Sequence, residues 1–238
     1  MESGLYIVGT PLGNLEDMSY RGVRTLAEAD LVLAEDTRTS GVLLRHYEIK
    51  TPLRSCHGFN ERSRVDEILG LLDQNQTIAL ISDAGMPVIS DPGGRMVRAV
   101  REAGHAVVAV PGPTAATTAL ALSGWGETGF VFMGFTPNKS AGRRRLITSL
   151  LTEERTVILY ESTHRIRKLL ADLSDLMPER RVFVGRELTK KFETSVEGTP
   201  EELITFFDTR SIKGEFVVIL GPLETKKKRK QAESEPNA

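Results

Sequence analysis

Residues 77–94 read TIALISDAGMPVISDPGG, and the reading of this stretch decides the fold. Its first five residues are an apolar run of the length and composition of a buried strand. The run stops at Ser82-Asp83 and gives way to three glycines, two prolines and a second aspartate. Glycine permits backbone angles and close approaches closed to other residues, while proline fixes φ and removes a donor. At the carboxyl end of a parallel strand, open α/β sheets bind small molecules in such loops. The plainer alternative is a strand-to-helix connection, with a helix starting near Asp91-Pro92.

Working outward, apolar runs at 5–8, 31–34, 52–56 and 106–110 flank the one at 77–81. Between them, 19–29, 38–47, 61–73 and 93–103 carry helical spacing, as in Ile68, Leu71 and Leu72. Strict alternation of buried strand and helix predicts a parallel sheet covered on both faces. After a helix over 114–123 the pattern changes, with strands predicted at 130–135, 156–161, 181–188, 192–198 and 215–220. Only Thr189-Lys190-Lys191 separate two of these, a link that suits an antiparallel hairpin and is too short for a helical crossover. The expected fold is therefore α/β in two domains: an N-terminal parallel α/β/α sheet and a smaller mixed-sheet α/β domain. The boundary is placed between Pro111 and Gly129, giving domains over 1–112 and 113–222. A basic tail over 223–238, with a lysine-rich run at 226–230, reads as disordered.

Composition narrows the classes. With 238 residues, 40% hydrophobic and 26% charged, the chain can bury a sizeable core. No apolar run approaches the ~20 residues of a membrane span, and no signal peptide is visible. Cys56 is the single cysteine, which excludes an internal disulfide or zinc-thiolate site and fits a reducing cytoplasm. Cys56-His57 reads as a strand end. The net charge of −1 requires any polyanion site to come from local clustering.

Several strand ends carry polar chemistry. Gly9-Thr10-Pro11-Leu12-Gly13-Asn14-Leu15 follows the first strand but lacks the dinucleotide glycine spacing, and Pro11 deletes a donor that a pyrophosphate would use. Glu35-Asp36-Thr37-Arg38 closes the second strand; Asp36 or Thr37 can cap the next helix, which leaves the remaining groups for function. Pro111-Gly112-Pro113-Thr114-Ala115 opens a helix whose first amides face outward. Further on, Tyr160-Glu161-Ser162-Thr163-His164-Arg165 ends a strand, with Ser162 or Thr163 as helix cap, or alternatively His164 as a general base. Lys139, Arg143, Arg144 and Arg145 form a basic cluster without an acid in the same segment, a pattern suited to phosphate contacts.

The segments GTPLGNLEDMS, LAEDTRTS, LISDAGMPVISDPG, VPGPTAATTALALSG, YESTHR, RELTKKFE and KGEFVVIL, in this order, resemble the tetrapyrrole-methylase superfamily of S-adenosyl-L-methionine-dependent methyltransferases, and within it the ribosomal RNA branch. The resemblance spans roughly residues 4–222. It implies 2′-O-methylation of a cytidine ribose in the decoding region of 16S rRNA in the small ribosomal subunit, by a cytoplasmic homodimer with the cofactor between domains. The first loop, GTPLGN, departs from the tetrapyrrole enzymes and puts a corrin or porphyrin acceptor in doubt. Carried over, Pro11, Ser82, Asp83, Ala84, Gly85, Val88 and Ile89 contact the cofactor. Thr114 and Ala115 add backbone contacts, and Tyr160, Glu161, Leu188 and Gly214 close over the adenosine.

Methyl transfer from an activated donor asks the protein mainly to orient reactants, with a base for the weakly acidic ribose hydroxyl or a cation for its alkoxide. Glu35, Asp36 and Glu187 are candidate bases, and Arg38 and Lys190 candidate electrostatic partners. Arg143, Arg144, Arg145 and Arg165 are candidates for the rRNA backbone. A small tetrapyrrole or protein side chain as acceptor, a nucleotide-dependent dehydrogenase, and a noncatalytic RNA-binding module are the competing readings.

Overall fold

The computed structural model describes residues 1–127, 129–210 and 212–223. The tail expected from the sequence lies, from 224 onward, outside the described residues. Contacts divide the chain between Thr114 and Ala115.

The first unit is built on β1 (Gly4–Val8), β2 (Leu31–Ala34), β3 (Leu53–Ser55), β4 (Thr77–Ile81) and β5 (Val107–Val110). Their order is β3-β2-β4-β1-β5 and every pairing is parallel. Helices α1 (Tyr20–Glu28), α2 (Thr37–His46), α3 (Glu61–Asp73) and α4 (Gly94–Glu102) cover it. Because side chains alternate along a strand, Tyr6, Val8, Val32, Ala34, Ala79 and Ile81 form one core with Leu26, Leu43 and Leu44 of α1 and α2. Their neighbours Leu5, Ile7, Leu31, Leu33, Ile78 and Leu80 form another with Ile68, Leu72, Met96 and Val100 of α3 and α4. Burial on both faces is why these strands read as unbroken apolar runs. Cys56, just beyond β3, is 2% exposed in the second core, and burial pushes its thiol up to about 11.

Local caps fix where helices begin. Ser19 Oγ accepts the Gly22 amide at the start of α1, and Asp36 accepts the Arg38 amide at the start of α2. Helix α4 starts later than the Asp91-Pro92 signal suggests, because Gly93 at φ 118° turns the chain first.

The second unit contains β6 (Phe130–Phe135), β7 (Thr156–Ser162), β8 (Val182–Arg186), β9 (Thr194–Gly198) and β10 (Glu215–Leu220), in the order β6-β7-β10-β8-β9. Only β6 and β7 are parallel; the other pairings are antiparallel. One sheet face packs on α6 (Ser140–Ser149), α7 (Ile166–Leu176) and α8 (Pro200–Asp208), through Val157, Leu159, Val184 and Val218. The opposite face, with Ile158, Val217 and Ile219, packs on α5 (Ala115–Ser123) and the half-buried Trp125.

The β8–β9 hairpin is antiparallel, but its strands stop earlier than the sequence suggests. Glu187 and Thr189 adopt φ values of 51° and 66°, a left-handed conformation that cannot continue a strand, so the connection runs over 187–193. Neither Ser162 nor Thr163 caps α7. Arg165 occupies the cap position without a side-chain cap bond, Thr163 donates instead to the Ile212 carbonyl, and Ser162 Oγ accepts from Arg165. Among the described residues no helix is long and apolar enough to cross a membrane.

Candidate functional site

The loops at the carboxyl edge of the first sheet are tied into one wall. Thr10 and Gly85 exchange two backbone hydrogen bonds of 2.9 and 3.1 Å, joining the β1 and β4 loops. The buried Thr10 hydroxyl donates across the same gap to Ser82 and Gly85 carbonyls, and Ser82 Oγ turns back onto Gly85. The β5 loop joins through glycines: a Cβ on Gly9 would lie 2.6 Å from Gly112 Cα, and one on Gly112 2.8 Å from Gly9 Cα. Neither position admits a side chain without moving backbone. Val88 (φ 75°) and Ser90 (φ 65°) hold the rest of the β4 loop in a left-handed conformation. For β-branched Val88 this is strained geometry, of a kind that collects at functional sites. Pro11, Ser82 and Gly85 are buried in this wall, Ala84 and Val88 are half-buried, and Asp83 and Ile89 face outward.

Beside the wall the neighbouring strand ends bring acids together. The Asp36 amide donates to Asp83 Oδ1 at 3.0 Å, linking the β2 and β4 loops. Arg38 grips Asp36 through Nε and Nη2, and this clamp holds the Asp36 carboxyl down at about 2. Glu35 is shifted the other way. Burial raises its pKa first and the Asp83 charge raises it further, with His57 opposing. The two adjacent carboxyls are thereby shifted in opposite directions: Asp36 is held as an anion by Arg38, while burial and Asp83 raise Glu35. Of the sequence candidates, Glu35, Asp36, Arg38 and Asp83 are brought together here.

This wall also permits a test of the cofactor. None of residues 9–18, 82–94 or 111–114 is Lys or Arg, so the loops offer carboxylate and carbonyl oxygens without a cation. Such a donor set fits a ligand that carries an ammonium and a sulfonium.

In the second unit, Tyr160 and Glu161 end β7. Glu161 is buried and accepts from the Thr136 hydroxyl, the Ser162 amide and Arg165 Nε. The Tyr160 hydroxyl accepts the Ala116 amide at 3.1 Å, so it satisfies one of the orphan donors at the start of α5 beside Ala115. On the hairpin, Glu187 Oε1 accepts from Lys190 Nζ and from the Glu215 amide, and its pKa is lowered against the opposing effect of burial. Lys190 also binds Glu215. Gly214, at φ 108°, leaves no room for a Cβ, which would overlap the Glu187 carboxylate. Leu188 is buried beneath the turn.

Arg143 is a correction to the sequence reading. Its side chain is 4% exposed and paired with Asp172 at 2.6 Å, so it is an internal cation and not a phosphate contact. Arg144 binds Asp172 and Asp175, while Arg145 is exposed. Arg165 is also engaged internally, with Glu161, Ser162 and the Thr136 carbonyl. The acid missing from the 139–145 segment is supplied by α7. Sequence reasoning also passes over Thr10, the Gly9–Gly112 contact and Thr136. Glycine at both strand ends was the available signal for the second of these; no local signal marks the other two.

An open parallel sheet whose carboxyl-edge loops are stitched into one wall, followed by a mixed-sheet unit, defines a two-unit α/β protein. The chain belongs to the tetrapyrrole (corrin/porphyrin) methylase family, whose model matches residues 4–204. It is 45% identical over 220 residues to the "Ribosomal RNA small subunit methyltransferase I" of Thermotoga maritima, covering 92% of this chain and 99% of that one. A Synechocystis protein of the same name is 47% identical over 217 residues, covering 91% and 78%. Two solved structures share the fold. The uroporphyrin-III-C-methyltransferase of Thermus thermophilus superposes with a TM-score of 0.66 at 21% identity, covering 99% of this chain and 100% of that one. A cobalt precorrin-4 methyltransferase gives 0.69 at 20% identity, covering 91% and 94%.

Proposed function

We propose that this protein is an S-adenosylmethionine-dependent methyltransferase acting on small-subunit ribosomal RNA, with the 2′-hydroxyl of a cytidine ribose in the decoding region as acceptor. The observation that carries this reading is near-full-length similarity, at 45% and 47% identity, to proteins named for ribosomal RNA methylation. Pro11, Ser82, Asp83, Ala84, Gly85, Val88 and Ile89 are the proposed cofactor contacts on the loop wall. Thr114, Ala115, Tyr160, Glu161, Leu188 and Gly214 are proposed alongside them. S-adenosylmethionine supplies a methyl group already activated on a sulfonium.

The chain's own residues then have a proton to move and an acceptor to place. Glu35, with its raised affinity for a proton, is the proposed base for the ribose hydroxyl. Asp36 is too acidic for that task, and its clamp with Arg38 shapes the rim instead. Glu187 is held anionic by Lys190, and the pair is assigned to orientation and charge. Arg144 and Arg145 remain as candidates for the RNA backbone. The proposed setting is a cytoplasmic homodimer.

The test supplies labelled S-adenosylmethionine with small subunits or naked small-subunit rRNA and maps ribose methylation. One methylated ribose is expected. No transfer to either substrate, or transfer to a porphyrin or corrin instead, overturns the assignment.

A further inference from the structure

Phe59, in the loop between β3 and α3, is fully exposed at 102% of its reference area. An isolated exposed apolar residue is ordinary on a protein surface, but the surroundings of this one are not. It lies beyond the carboxyl end of β3, whose neighbour β2 runs parallel in register, Ala34 opposite Ser55. The Cys56 amide donates to the Ala34 carbonyl at 2.7 Å. The chain therefore leaves the sheet beside Glu35, on the edge where the acids gather.

The loop is also pinned. Asn60 Oδ1 accepts the His57 amide at 2.7 Å, and the Asn60 and Glu61 amides both return to the His57 carbonyl. Buried Glu61 accepts the Met96 amide, anchoring the start of α3 to α4. A ring presented from such a turn is held outward by its backbone. The His57 ring lies edge-on to it, 6.1 Å between centroids at 67°. His57 Nδ1 is itself buried, with no hydrogen-bond partner among the described residues.

We propose that Phe59 is a stacking platform for an unpaired nucleobase of the RNA substrate, on the loop that leaves the sheet beside Glu35, the proposed base. This rests on the reading of the protein as an RNA methyltransferase and adds a recognition residue to it. The surroundings select this occupant. Gly58, Arg62 and Ser63, its neighbours in sequence, are exposed and polar or small, so this segment adds no second large apolar side chain to the ring. One flat ring with a cation close by in sequence is the combination that grips single-stranded RNA, where bases are splayed out and stacked on aromatics.

The test uses the full chain in the presence of S-adenosylhomocysteine, with a single-stranded oligocytidylate and small-subunit rRNA as probes. Phe59→Ala should weaken binding of both about tenfold, as loss of one base–aromatic stack predicts, and leave affinity for S-adenosylhomocysteine unchanged. Phe59→Tyr should bind like the parent, because it keeps a flat ring, whereas Phe59→Leu should not. Phe59→Trp adds a second indole to Trp125, and its extra fluorescence should be quenched by the oligonucleotide. Parental RNA affinity in Phe59→Ala, or an unquenched Phe59→Trp, overturns the proposal while the methyltransferase reading stands. Loss of binding to assembled subunits but not to naked rRNA would assign the ring to a ribosomal protein and overturn it equally. A parent chain that neither binds nor methylates rRNA removes both.

Discussion

Glu35, the proposed base, is a residue whose burial works against stability at neutral pH. Its folded-state pKa is raised, so the folded chain binds its proton more tightly than the unfolded chain does. That contribution to stability is present below the unfolded pKa and is lost as pH rises through the folded one. Glu35→Gln is therefore expected to be more stable than the parent at neutral pH and to converge on it in acid, as urea unfolding at the two pH values would show. The same variant should lose about 100-fold or more in methyl transfer if Glu35 is the base, with little change in affinity for S-adenosylhomocysteine. Gly112 is the opposite kind of residue, with no chemistry and no tolerance. Gly112→Ala brings a methyl group within 2.8 Å of Gly9 Cα, and should cost about 2 kcal/mol by denaturant titration while weakening cofactor binding measured by calorimetry.

Helix α6 shows how three adjacent arginines divide their work once a second helix packs beside them. Arg143 points inward to Asp172, 29 residues further along the chain. Arg143→Ala removes the buried partner of that carboxylate and leaves it only the half-exposed Arg144, and should cost about 3 kcal/mol in stability. Arg145→Ala should be neutral within about 0.5 kcal/mol, yet lower rRNA affinity and reduce the salt dependence of binding by about one counterion. Unfolding curves and salt-dependent binding separate the two. The elements themselves were legible because their causes are local. Strands buried on both faces show as apolar runs such as 77–81, and helix starts carry caps such as Ser19 and Asp36. The Arg143–Asp172 pair, the Thr136–Glu161 contact and the left-handed Glu187 and Thr189 depend on partners distant in sequence or on a turn without glycine. Periodicity carries no trace of either. The acids at Glu35, Asp36 and Asp83 could be seen as polar strand ends, and the Asp36–Arg38 clamp is local; the raised pKa of Glu35 came only with its burial and with Asp83 at the end of the neighbouring strand.

At the scale of the molecule, each unit holds its own hydrophobic clusters, and each contains one probe residue unique in the sequence. Trp125, the single tryptophan, packs in the second unit; Cys56, the single cysteine, is buried in the first. If the units unfold as one cooperative system, tryptophan fluorescence and thiol accessibility should follow a single denaturation curve; separate midpoints would show that they unfold independently. The buried thiol carries this further. With its pKa at about 11 and 2% exposure, Cys56 has almost no thiolate at neutral pH and almost no surface for a reagent to reach. Alkylation must wait for the first unit to open, so under native conditions its rate is a clock for that opening. Each tenfold slowing relative to a free thiol corresponds to about 1.4 kcal/mol of opening free energy. Cofactor bound to the first unit should slow the clock by the factor by which it lowers the unoccupied fraction, giving a binding assay that needs no radiolabel, no RNA and no turnover.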